Sequence, residues 1–98
     1  MDKEHLIPAG ELCTVYRIEQ SFIGSLGEYG LIEITMVEGA PFIDRAKLPE
    51  LERLIRLHYE LNVNLEGLDV IANLLERVNT MQQELNVLRN RLRFYETE

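Results

Sequence analysis

The sequence predicts a mainly α chain: short helices and one small β-hairpin in its first two thirds, then a long C-terminal coiled-coil helix built for dimerisation. Three observations predict this. Apolar residues fall at Ile71, Leu74, Val78, Met81, Leu85, Leu88, Leu92 and Tyr95, alternating steps of three and four with no Pro between them, the seam of a coiled coil. Two short stretches of helical spacing, separated by a turn of a few residues, precede a run rich in β-branched residues. At 98 residues the chain is one small domain, and a chain this short leaves much of its surface exposed unless an oligomer covers it.

The elements follow in order. Leu6 and Ile7 are a short apolar lead-in, and Pro8 suits a first helical position, where its missing N–H is not needed. Ala9, Leu12, Cys13 and Tyr16 then recur at helical spacing, and Thr14, Val15 and Tyr16 propagate a helix poorly, so this helix is expected to stop early. A second helix is expected from Glu19 to Tyr29 with Phe22, Ile23 and Leu26 inward and Gly30 as a left-handed cap. Together they make a helix-turn-helix. Leu31 to Val37, with Ile32, Ile34 and Met36 alternating against Glu33 and Thr35, is expected to pair with Phe42-Ile43 across Glu38-Gly39-Ala40-Pro41 as a hairpin wing. Asp44 can cap a third helix carrying Leu48, Leu51, Leu54, Ile55, Tyr59 and Leu61 inward, with Pro49 in its first turns and Asn62 closing it in a left-handed conformation. Asn64 then caps the long helix, and Glu66 and Asp69 complement its dipole. The expected layout is a head over residues 1–63 and a dimerisation helix over 64–98, one domain overall.

At about 1.5 Å per residue that helix is about 50 Å long, twice the width of about 25 Å expected for the rest of the chain. Its far end needs a partner, most simply a second copy. Orientation is open on charge: Glu84 with Arg89 and Arg91 with Glu96 have the spacing that favours a parallel pair.

The net charge of −7 and the isoelectric point near 4.8 argue against generic binding to nucleic acid or to an anionic membrane and suit a basic protein partner. One cysteine, Cys13, leaves no intramolecular disulfide or cysteine-based metal site. His5 and His58 lack the spacing of a zinc site. No Gly-rich phosphate loop and no constellation of nucleophile and base is present, so neither enzyme chemistry nor a cofactor is expected. The start Met1-Asp-Lys-Glu-His has no apolar signal core and no run approaches about eighteen apolar residues, so a cytoplasmic protein is expected.

Taken as an ensemble, the order of elements, Arg56-Leu57-His58-Tyr59-Glu60-Leu61, Asn62-Val63-Asn64-Leu65-Glu66-Gly67-Leu68, Glu11-Leu12-Cys13 and Tyr29-Gly30-Leu31-Ile32-Glu33 resemble the MerR-type winged helix-turn-helix proteins. The likeness is closest to the small bacterial chaperone modulators of the CbpM type, and it covers nearly the whole chain. It implies antiparallel dimerisation helices. In the DNA-binding branch an Arg-Tyr-Tyr-Glu segment precedes the Gly-Leu pair and the wing is basic; here Gly24, Ser25 and Leu26 stand at the Arg and aromatic positions, and the wing carries Glu33 and Glu38. Between His5 and Asp44 the acids are Glu11, Glu19, Glu28, Glu33, Glu38 and Asp44, and Arg17 is the single Lys or Arg. Phosphate contacts supply most non-specific DNA affinity, so direct DNA binding is not expected of this face.

The resemblance implies a partner instead, the J-domain of a DnaJ- or CbpA-like co-chaperone, whose basic helix and His-Pro-Asp loop engage Hsp70; binding would restrain that action. Glu19, Glu28, Tyr29, Glu33 and Glu38 are the candidate contacts, the plain alternative being a solvated acidic face. The alternative function is a MerR-type DNA-binding regulator, for which Lys3, Arg17, Arg45 and Lys47 would have to gather on one face. Gly24 and Gly27 each weaken their helix by about 1 kcal/mol relative to Ala, which suggests that something approaches the backbone closely there.

Overall fold

The computed structural model describes residues 5–96, so Lys3 lies outside the described residues. The first described element is a strand the sequence did not signal. Leu6–Pro8 (β1) pairs antiparallel with the last residues of the wing, Ile7 facing Ile43. Pro8 therefore does not begin the first helix but ends β1 and precedes the helix as its N-cap residue, at φ −59° and ψ 135°. A proline's fixed φ fits extended and helical backbone alike, so the waiting sheet edge decides which it adopts.

The first helix, Ala9–Tyr16 (α1), stops as expected at Arg17, which takes the left-handed conformation at φ 58° while Ile18 N–H donates to the Cys13 carbonyl at 3.0 Å. The second, Gln20–Glu28 (α2), buries Phe22, Ile23 and Leu26, and Gly30 follows at φ 73°. Leu31 N–H caps the Leu26 carbonyl at 2.9 Å, so Leu31 to Ile34 hang from the end of the helix rather than extending the wing strand. The wing is shorter than the sequence suggests: Thr35–Val37 (β2) and Ala40–Asp44 (β3) joined by Glu38 and Gly39, both at positive φ, the two-residue loop whose twist matches paired strands. The sheet order is β1-β3-β2. Pro41 is tolerated in the middle strand because β1 pairs only with residues 42–44, which leaves that side of Pro41 an open edge. Ile32 is buried as expected, but Met36 is 61% exposed at the wing tip, opposite Pro41.

Asp44 does cap the next element, accepting from Ala46 N–H at 2.9 Å, but that element is a 3-10 turn over Arg45–Lys47 that leads into the third helix, Leu48–Ile55 (α3). The helix then widens into a π-helical turn, Arg56–Glu60, closed by Leu61 N–H on the Arg56 carbonyl five residues back. The wider turn moves the side chains round: Tyr59 and Leu61, expected inward, are 42% and 66% exposed, and Leu57 packs on the core instead. Asn62 closes the turn at φ 60°, and Asn64 caps the long helix Leu65–Glu96 (α4) by accepting from Gly67 N–H at 2.7 Å.

The four side chains most completely sealed from solvent, Leu26, Ile43, Leu51 and Leu68, come one each from α2, β3, α3 and α4, so the core is where the four elements meet. Fully burying a side chain of that size is worth about 1.5–3 kcal/mol. Leu68 belongs to the first turn of α4, and from Asn73 to Glu96 every residue of that helix is exposed. The helix thus projects from the head, giving the molecule a longest extent of 58 Å.

Candidate partner-binding surface

The helix-turn-helix presents the outer face of α2, with Gln20, Ser21, Gly24 and Glu28 exposed. Its two interior glycines differ. A Cβ on Gly27 would lie 2.5 Å from Ile34 Cδ1, because the chain leaving the helix folds back beneath it; a Cβ on Gly24 would meet nothing within 4 Å. The close approach suggested by the sequence is therefore internal at Gly27 and open to solvent at Gly24.

Glu19 is the N-cap residue of α2 and is anchored at its backbone, its N–H donating to the Tyr59 hydroxyl at 3.4 Å, while its carboxylate accepts from Ser21 Oγ at 3.3 Å. Glu28 and Tyr29 stand at the opposite end of α2, about 13 Å away along the axis. Glu33 is exposed on the link to the wing and Glu38 on the wing loop. The sequence-derived acids thus frame α2 from both ends and the wing rather than forming one point.

Tyr29 draws in two more. Its hydroxyl donates to Glu66 Oε2 at 3.3 Å, and its pKa is pushed up first by the Glu66 charge and also by Asp69 and Glu28. Glu66 and Asp69 read in sequence only as acids complementing a helix N-terminus; nothing in the one-dimensional pattern places them beside Tyr29. Neither α2 nor the wing carries Lys or Arg, and Lys47 is engaged with Glu50 at 3.7 Å.

His58 is structural. Its Nδ1 lies 2.8 Å from the Val63 carbonyl, and its ring stacks on Phe22 with centroids 4.6 Å apart and meets Tyr59 edge-on, so it locks the turn before α4 onto α2. Cys13 is half-buried, and burial pushes its thiol pKa up, away from thiolate chemistry at neutral pH. Among the described residues no group of three or more His, Cys, Asp or Glu could hold a metal ion, and no helix is long and apolar enough to cross a membrane.

On α4, Ile71 is half-buried at the base of the head, while Leu74, Val78, Met81, Leu85, Leu88, Leu92 and Tyr95 are exposed along the helix. These seven side chains form an exposed apolar line along the projecting helix.

Comparison with known proteins agrees with this architecture. The family of MerR HTH family regulatory proteins matches residues 7–90. A chaperone modulatory protein, CbpM, of Pseudomonas entomophila (strain L48) is 31% identical over 83 residues, 83% of this chain and 81% of that protein. No solved structure matches the chain. With the family match spanning nearly every described element, from β1 to the outer turns of α4, the chain belongs to the MerR helix-turn-helix family.

Proposed function

We propose that this protein is a chaperone modulator: a non-enzymatic, cytoplasmic homodimer, joined through the α4 seam, that binds the basic J-domain of a DnaJ-like co-chaperone and so restrains its action on Hsp70. The observation that carries the reading is the chemistry of the helix-turn-helix face. The helix and wing that would meet DNA are framed by Glu19, Glu28, Glu33 and Glu38 and hold no base, so the face repels phosphate and attracts a basic helix. Gly24 leaves the middle of α2 open to close approach by another backbone. The kinship with a protein named a chaperone modulator points the same way.

The test is titration calorimetry of the protein against J-domains from the same organism at low and moderate salt. Binding that weakens with salt and is lost in Glu28→Lys/Glu33→Lys supports the proposal. No binding to any J-domain at tens of micromolar and low salt sinks it. The family match favours one second reading, a DNA-binding regulator. A salt-dependent gel shift that survives competition by random DNA would select it.

A further inference from the structure

Short π-helical turns are rare and gather at functional sites, and the one over Arg56–Glu60 turns an aromatic side chain outward beside the start of α2. Tyr59 is 42% exposed, yet its ring is held from three directions. It stands nearly perpendicular to the buried Phe22 with centroids 5.2 Å apart and to His58 at 4.9 Å, and those two rings stack on each other. Its hydroxyl accepts from the Glu19 N–H at 3.4 Å, which sets the ring against the N-cap residue of α2. The side of the ring turned away from the Phe22–His58 stack is the side open to solvent. Next to it, the Glu19 carboxylate is held by Ser21 Oγ through one oxygen, Oε1, at 3.3 Å.

We infer that Tyr59 and Glu19 together form a receptor for one arginine side chain of a basic protein partner, the guanidinium lying over the open face of the ring and donating to the carboxylate. The inference rests on the basic partner proposed above and adds the side chain that is recognised and a residue outside the helix-turn-helix. A ring face attracts a cation, and the flat, weakly hydrated guanidinium stacks on it while its N–H groups reach an adjacent carboxylate. A lysine ammonium, compact and strongly hydrated, gains less there. Because Phe22 and His58 already fix the ring, little ordering of Tyr59 opposes the contact.

A purely structural role does not require this placement. An unbroken α-helix would keep Tyr59 on the inward stripe with Leu51, Leu54 and Ile55, and the hydroxyl contact at 3.4 Å lies beyond the usual hydrogen-bond range. What the wider turn creates is an exposed, immobile aromatic next to a carboxylate, the kind of residue that anchors interfaces. The receptor stands at the start of α2, about 13 Å from Glu28 and Tyr29 at its other end, with the open Gly24 between them. A basic helix laid along α2 would thus meet a carboxylate at each end, and the ring at one end would fix its register.

Two measurements on the full chain test this. Titration with a tri-arginine peptide, followed by NMR, should shift the Tyr59 ring protons along a saturating curve. Tri-lysine should shift them less, and Glu19→Gln should weaken the tri-arginine response. No shift, an equal response to the two peptides, or ring signals that respond only to Arg56→Gln in the same turn, overturns the receptor. Calorimetry with a J-domain from the same organism separates it from the function proposed above. Tyr59→Phe, which keeps the ring, should bind within about twofold of the parent, and Tyr59→Leu about fivefold to tenfold more weakly, with circular dichroism showing both folded. Undiminished binding by Tyr59→Leu, or equal losses in the two variants, overturns the receptor and leaves the J-domain reading intact. A parent protein that ignores every J-domain while tri-arginine still shifts Tyr59 sinks that reading and leaves the receptor standing.

Discussion

Gly24 and Gly27 stand one helical turn apart in α2, and the same replacement by Ala should raise stability at Gly24 but not at Gly27. At Gly24 the new methyl meets nothing within 4 Å, so only the helix-propensity difference remains, about 0.8–1 kcal/mol in favour of Ala. For a domain of this size that corresponds to a melting temperature about 4–8 °C higher. At Gly27 the same gain is opposed by a methyl placed 2.5 Å from Ile34 Cδ1 and 3.3 Å from its Cγ1. Overpacking of that kind costs about 1–3 kcal/mol, which leaves Gly27→Ala neutral to about 2 kcal/mol less stable. Ile34→Val removes the Cδ1 atom and should recover part of the loss, so the double variant should couple by more than the about 0.3–0.5 kcal/mol within which independent sites add. Thermal or urea unfolding followed by circular dichroism measures the wild type and the four variants, at one protomer concentration because association shifts apparent stability. Equal changes at the two glycines, with no coupling to Ile34, would refute the assignment of Gly27 to internal packing and of Gly24 to an open face.

Leu68→Ala, at the fully buried foot of α4, should cost about 2–5 kcal/mol by urea unfolding and loosen the helix from the head. Leu85→Asp puts a charge at the middle of the seam and should give a monomer by light scattering, with a loss of helical signal because the outer turns have no contact with their own head. The Tyr16 hydroxyl donates to Glu52 Oε2 at 2.6 Å, and that hydrogen bond, ahead of burial and the Glu52 charge, raises the Tyr16 pKa. A raised pKa means the folded state holds the proton more tightly, so this contribution is present in full below the ordinary value of 10.0 and is lost as pH rises through the folded value. Unfolding curves should therefore show a decline at alkaline pH that is smaller in Tyr16→Phe, which loses about 0.5–1.5 kcal/mol at neutral pH. With its thiol pKa raised by burial, Cys13 should alkylate more slowly at neutral pH than the same cysteine in the urea-unfolded chain, as a thiol-reactive dye would report.

Much of the fold was legible because local chemistry fixes it. Thr14, Val15 and Tyr16 end the first helix early, Gly30 and Asn62 take positive φ, Asn64 caps α4, and the three-four spacing marks the long helix; each follows from the preferences of one to four neighbouring residues, whereas the left-handed Arg17 does not. The composition likewise gave the acidic α2 and wing, which carry no Lys or Arg. Tertiary structure decided what neighbours in space decide. Leu6 to Pro8 became a strand only because β3 offered an edge, and the π turn carried Tyr59 and Leu61 outward while seating His58 on Phe22. Gly24 and Gly27, equivalent in sequence, were separated by the position of Ile34, and Glu66 and Asp69 joined Glu28 around Tyr29 because the head folds onto the first turns of α4. The apolar spacing of α4 needed only periodicity to be seen, whereas a groove beside it exists only where the head packs against the helix, between residues far apart in the chain.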